Sequence, residues 1–124
     1  MKNRKNIEIG ALGEEIARKF LENKGFSVIE MNYRRKWGEI DIVSKKDKLI
    51  HFIEVKSVEG CIDGGKFPEE NVHEKKLKRL SRAIQTYLSE NKEDDTEWQL
   101  DVVAVFLDIE KKKADVRLTE NVFS

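Results

Sequence analysis

The chain has 124 residues, 39% hydrophobic and 39% charged, enough apolar material for one modest core in a single domain over 1–124, with no run near the ~20 apolar residues that cross a bilayer. Twenty-four Lys and Arg balance 24 Asp and Glu, which excludes a protein coated in positive charge yet allows local patches: RRK (34–36) and KKLKR (75–79) are basic and ENKEDDTE (90–97) is acidic. The lone Cys61 excludes an internal disulfide, fits a reducing, cytoplasmic setting and has no visible base beside it, and the opening MKNRKNIEIGALGEE meets glutamates too early to read as a secretory signal.

The first predicted element is a helix over about 7–24, because Ile9, Leu12, Ile16 and Phe20 recur at spacings of three and four and Gly25 is a good stop. Gly10, Gly13 and Ala17 form a small-residue strip beside that stripe, with Glu14 at its edge. Glycine inside a helix costs about 1 kcal/mol against alanine, so two of them suggest close backbone approach. FSVIEMNYR (26–34) reads as a strand, followed by strands at about 38–44 and 48–57. EGCIDGGKFPEEN (59–71), with three glycines and the sole proline, reads as a mobile loop. A second helix over about 72–90 buries Val72, Leu80, Ala83, Ile84, Tyr87 and Leu88. WQLDVVAVFLD (98–108) and ADVRLT (114–119) complete an α-β-β-β-α-β-β order. Short turns imply antiparallel neighbours, and the excursion through the second helix implies that 98–108 returns parallel to an earlier strand.

The charges on strand 48–57 raise the functional question. Ile50, Phe52, Glu54 and Lys56 share one face, and Leu49, His51, Ile53 and Val55 share the other. Both faces are largely apolar, which marks a central strand charged only at its C-terminal end. The register that sets Asp41 opposite Glu54 leaves Asp47 and Lys48 as a two-residue turn, without the glycine such turns favour. A one-residue slip sends Asp41 to the face of His51 and Ile53. Two carboxylates at a buried strand end repel unless one takes a proton or a divalent cation joins them. Mg²⁺ suits oxygen ligands, acidifies a water and neutralises charge on a phosphate, while Lys56 beside it orients that water or stabilises the pentavalent phosphorus. Each element also has a plainer reading. Glu54 and Lys56 serve equally as an ion pair. Lys76, which falls inside the second helix's apolar stripe, either snorkels to water or reaches a phosphate. Glu14 either meets the sheet as a further acid or faces solvent.

GALGEE (10–15), NYRRKWGEIDIV (32–43), FIEVKS (52–57), VHEKKLKRL (72–80) and LDVVAV (100–105) occur in order across most of the chain. Asp41 followed by Glu54-Val55-Lys56 resembles the core of the PD-(D/E)xK nuclease superfamily, and the whole set is similar to the small bacterial YraN-like family. The resemblance implies an α/β, restriction-endonuclease-like αβββαβ core with a mixed central sheet flanked by helices. It implies Asp41 and Glu54 as metal ligands, with the Val55 carbonyl beside them, Lys56 as catalytic lysine, and Glu14 as an acid of the first helix, as in archaeal Holliday-junction resolvases. The implied activity is Mg²⁺- or Mn²⁺-dependent endonucleolytic hydrolysis of DNA, branched or structured, leaving a 5′-phosphate. Arg34, Arg35, Lys36, Lys76 and Arg79 then contact phosphates, and a homodimer would suit paired cuts. Three positions depart from the pattern: Ile40 where the superfamily has proline, Ser57 where relatives often carry a basic residue, and Gln99-Leu100 where Arg-Phe is frequent. A non-catalytic adaptor on the same fold, binding nucleic acid or protein, is the alternative. A third reading is an interaction domain whose acidic 90–97 segment docks a basic partner.

Overall fold

The computed structural model describes residues 4–60 and 74–122. Its elements are α1 (Arg4–Asn23), β1 (Ser27–Arg35), β2 (Gly38–Lys46), β3 (Leu49–Glu59), α2 (Glu74–Glu90), β4 (Trp98–Asp108) and β5 (Lys113–Thr119). They follow the expected order, and the first six make an αβββαβ series to which β5 adds an edge. The sheet runs β1-β2-β3-β4-β5. All neighbours are antiparallel except β3 and β4, which are parallel across the α2 connection. The loop expected at 59–71 begins after Glu59, which is still strand. Its remainder beyond Gly60, with Cys61, lies outside the described residues, as does Val72, expected on the buried face of the second helix. No helix among the described residues is long and apolar enough to cross a membrane.

The sheet separates two cores. Ile50, Phe52 and Leu100 pack with Leu80, Ala83, Ile84 and Tyr87 of α2. Ile53, Val103 and Val105 pack with Ala17 and Leu21 of α1. The alternation on β3 therefore reads as expected, and both faces of this central strand are covered. The α1 stripe differs from expectation. Leu12 is 46% exposed while Ala17 and Leu21 are fully buried, so the helix rests on its small-residue side, with Gly13, Ala17 and Leu21 leading. The reason is proximity: a Cβ on Gly13 would lie 1.7 Å from Ser57 Oγ, so only glycine lets the helix come this close to β3. Gly10 has no such neighbour.

The helix ends explain the chain reversals. Gly25 at φ 92 closes α1, with Phe26 N donating to Leu21 O and Gly25 N to Glu22 O, the paired bonds of a Schellman cap. Phe26 and Leu21 then meet in the α1 core. Lys92 at φ 55 closes α2 in the same way, through Glu93 N to Leu88 O and Lys92 N to Ser89 O.

Candidate metal centre and basic groove

The β2–β3 ladder runs from Lys46↔Leu49 to Ile42↔Ile53, the register that brings Asp41 level with Glu54. Asp47 and Lys48 form the turn with φ 53 and 68. Both angles are positive, as the twist of a tight hairpin demands, and the turn forms without glycine. Beyond Ile53 the backbone pairing gives way to a side chain: Val55 N donates to Asp41 Oδ2 at 2.8 Å. At the same level the β1–β2 hairpin twists. Asn32 of β1 sits at φ 54. Met31 and Ile42 pack on the α1 core, whereas Tyr33 and Ile40, two positions further out on each strand, pack against α2. This twist carries the hairpin tip from one layer to the other and leaves Asp41 at the crossing.

Asp41 and Glu54 are 9% and 4% exposed and line the same cleft. Burial and the Glu54 charge push the Asp41 carboxyl up to about 8, against the opposing bond from Val55 N. Glu14 of α1 joins them. Burial raises its pKa, while a hydrogen bond from the Asn32 side chain and the Arg34 charge work against that rise. Two lysines converge on the same Glu54 oxygen. Lys56 Nζ lies 3.5 Å from Oε1, and the Lys76 ammonium is paired with that atom directly. Burial and its neighbour Lys76 lower the Lys56 pKa. Burial also works against the charge on Lys76, but the Glu54 hydrogen bond and the carboxylate charges outweigh it and raise its pKa. Glu14, Asp41, Glu54, Val55, Lys56 and Lys76 thus line one cleft of about 520 Å³, into which Gly10 opens.

A larger groove of about 1190 Å³ adjoins it, sharing Arg34, Glu39, Glu54 and Lys76 and lined further by Lys36, Trp37, Lys78 and Arg79. It forms because the hairpin tip lies on α2. A Cβ on Gly38 would stand 2.6 Å from Arg79 O, Trp37 Nε1 donates to Thr86 Oγ1 at 3.1 Å, and the Arg82 guanidinium lies 5.3 Å from the Trp37 ring. The two basic runs, far apart in sequence, thereby face one groove. Arg34 is 3.3 Å from Glu39. Arg35 also borders the groove, with its guanidinium 2.8 Å from Glu90 and over the Tyr33 ring at 4.2 Å. In the acidic 90–97 segment, Glu90 is thus engaged internally, and Glu93 pairs with Lys45 at 3.0 Å.

A second buried polar cluster stands nearer the opposite end of β3. His51 Nδ1 is 2.6 Å from Asp101 Oδ2, and Asp101 Oδ1 accepts from Gln99 Nε2 at 2.8 Å and Asn121 N at 2.9 Å. Glu120 brings a carboxylate within 4.8 Å of both. The spacing of His51 and Asp101 is that of a hydrogen bond, and each Asp101 oxygen has a donor or ring partner, so the cluster ties β4 to β3 and to the chain after β5.

All nine charged residues singled out in the sequence border the cleft or the groove. Sequence reasoning missed Lys78, Asn32 and the His51–Asp101 pair. Lys78 sits within the basic run and one turn from Lys76's neighbours, a signal available in the sequence. Asn32 carried the only local hint of its role, since asparagine tolerates positive φ better than most residues. The departures also gain reasons: Ser57 is the small residue beneath Gly13, and Gln99 holds Asp101.

Comparison with known proteins places these residues in a family context. The profile described as "Uncharacterised protein family UPF0102" matches residues 13–105, which include Glu14, Asp41, Glu54, Lys56 and Lys76. A UPF0102 protein of Campylobacter lari is 38% identical over 113 residues, covering 91% of this chain and 91% of the relative. One of Chloroherpeton thalassium is 35% identical over 118 residues, covering 95% and 90%. One of Alkaliphilus oremlandii is 36% identical over 118 residues, covering 95% and 99%.

Proposed function

The chain belongs to the UPF0102 family, and from the chemistry of its cleft we propose that it is a metal-dependent endonuclease hydrolysing phosphodiester bonds of DNA, branched or structured DNA in particular. The observation that carries this reading is the burial of Asp41 and Glu54 in one cleft that also holds Lys56. Burial and the Glu54 charge favour a proton on Asp41, whose carboxyl is pushed up to about 8. Hard oxygen donors in that conflict suit Mg²⁺ or Mn²⁺. Asp41 and Glu54 would hold the ion, with the Val55 carbonyl and Glu14 beside them. When bound, such an ion supplies Lewis acidity and a water of lowered pKa.

The chain's own residues do the rest. Lys56, half-buried and with a lowered pKa, orients the attacking water or meets the charge on the phosphorane. Lys76 moves from Glu54 to a phosphate oxygen. Arg34, Lys36, Lys78 and Arg79 hold flanking phosphates, which fixes position without reading sequence. Attack at phosphorus expels the 3′ oxygen and leaves a 5′-phosphate.

A second reading, a nucleic-acid adaptor without catalysis, draws on the Lys76–Glu54 pair, which neutralises Glu54 without any ion. Flap, fork, four-way and linear DNAs, incubated with and without Mg²⁺ or Mn²⁺, separate the two readings. Metal-dependent cutting by the wild type, reduced by about 10³-fold or more in the Glu54→Ala, Lys56→Ala double variant, is expected. Equal, metal-independent binding by both proteins without cutting would establish the adaptor instead.

A further inference from the structure

One oxygen of Glu54 has two lysines, and they reach it from different elements. Lys56 belongs to β3 itself, two residues along the strand, with Nζ 3.5 Å from Oε1. Lys76 comes from the first turn of α2, and its ammonium meets the same atom directly. Leu80, one turn later, is 2% exposed, so this face of α2 is turned toward the sheet, while Lys78 and Arg79 are exposed. Against burial, the bond to Glu54 and the carboxylate charges raise the Lys76 pKa, whereas burial and Lys76 lower that of Lys56. Lys76 is therefore the cation that Glu54 holds first.

The two lysines also differ in where they can go. Lys56 lines the cleft with Glu14 and Asp41. Lys76 lines both that cleft and the basic groove beside it. Its side chain is 39% exposed, against 5% for Glu54, and it carries a compact charge on a flexible four-carbon stem. A change of rotamer swings such a stem while α2 stays in place.

We propose that Lys76 gates the metal centre: in the free chain its ammonium occupies Glu54 in competition with the divalent cation, and a substrate phosphate in the groove draws it off, so that metal and nucleic acid bind cooperatively. The gate rests on the metal-dependent reading above and adds an order of events to it. A divalent cation at Glu54 meets the repulsion of the Lys76 charge. A phosphate in the groove offers that charge another anionic partner and so removes the repulsion. The coupling is reciprocal: as far as nucleic acid tightens the metal, the metal tightens nucleic acid.

Mn²⁺ titrations followed by the paramagnetic resonance of the free ion test this, with Asp41→Asn marking which binding belongs to the cleft. Lys76→Gln and Lys76→Met should each bind Mn²⁺ about tenfold or more tightly than the wild type, and Lys76→Arg, which keeps the charge, within about threefold of it. Circular dichroism checks that each variant is folded. A four-way DNA is then added to Lys56→Met and to the Lys56→Met, Lys76→Gln double variant, in both of which the loss of Lys56 slows cutting. The DNA should tighten Mn²⁺ binding by about tenfold or more in the first and by about threefold or less in the second. Neutral variants that bind Mn²⁺ no more tightly than the wild type overturn the gate and leave the metal centre standing. Equal tightening by DNA in the two Lys56→Met proteins overturns it as well. No Mn²⁺ bound at the cleft by any of the proteins overturns the metal centre, and the gate with it.

Discussion

Two buried aspartates stand on the strands either side of β3, Asp41 on β2 and Asp101 on β4, and their surroundings are opposite in kind. Asp101 is fully buried and is met by His51, Gln99 and the Asn121 amide. Among the described residues Asp41 accepts from one amide, that of Val55, and lies in the field of the Glu54 and Glu14 carboxylates, with the Lys76 ammonium the cation that feels its charge. A buried carboxylate whose lone pairs are filled by donors is a fastening. A buried carboxylate set against others stores unfavourable electrostatics that something must relieve, a proton or a cation. The contrast shows that burial alone does not mark a site; the sign of the neighbours does.

The largest effect expected from this contrast is on stability. Asp101→Ala strips the partner from a buried imidazole and from two half-buried hydrogen bonds, those of Gln99 and Asn121, and should cost ~3–5 kcal/mol in urea denaturation. A cost below about 1 kcal/mol would erase the distinction between fastening and site.

Asp41→Asn should act in the other direction and with pH. The Asp41 carboxyl is raised above its ordinary value, to about 8, so the folded chain holds that proton more tightly than the unfolded chain. Its stabilising contribution is therefore complete below about pH 4 and is lost as pH rises toward about 8. In metal-free buffer the wild type should lose stability relative to Asp41→Asn across that window, with a difference slope of up to ~1.4 kcal/mol per pH unit. Mg²⁺ added at pH 8 should stabilise the wild type and leave the variant unchanged. Parallel pH profiles of the two proteins would show that Asp41 is as well satisfied as Asp101.

The smallest effect concerns which end of β3 meets the substrate. Arg79→Ala and Lys78→Ala, in the groove beside Glu54, should each lower the salt slope of DNA binding by about one unit. Lys48→Gln, in the turn at the Asp101 side of the sheet, should leave it unchanged. Equal losses from all three would mean diffuse attraction and no groove.

Much of the candidate site was legible because strand chemistry is local. Period-two alternation assigned Glu54 and Lys56 to one face, and the register that brings Asp41 level with Glu54, which the functional reading required, is the one the structure has, with Asp47 and Lys48 as its turn. The α2 stripe likewise placed Lys76 on the inward side. The α1 stripe held for Ile9, Ile16 and Phe20, which pack on the core, and misled only at Leu12, which fits the helical period as well as Leu21 does but is exposed. Hydrophobic spacing tells which residues share a side of a helix, but how closely that side can approach a sheet depends on the partner surface, here Ser57 beneath Gly13.

The amino-acid order by itself indicated the elements, because they follow from backbone periodicity over a few neighbouring positions, while the β2–β3 register stayed open to a one-residue slip and the roles of the charged residues came from resemblance to a family. Tertiary packing alone decided three things: the twist at Asn32 and Asp41 that moves the hairpin tip onto α2, the meeting of RRK with KKLKR across one groove, and the matching of Asp101 with His51. Those depend on crossing angles and on contacts between residues some 40 to 50 positions apart, and steric fit over such distances leaves no period in a sequence to read.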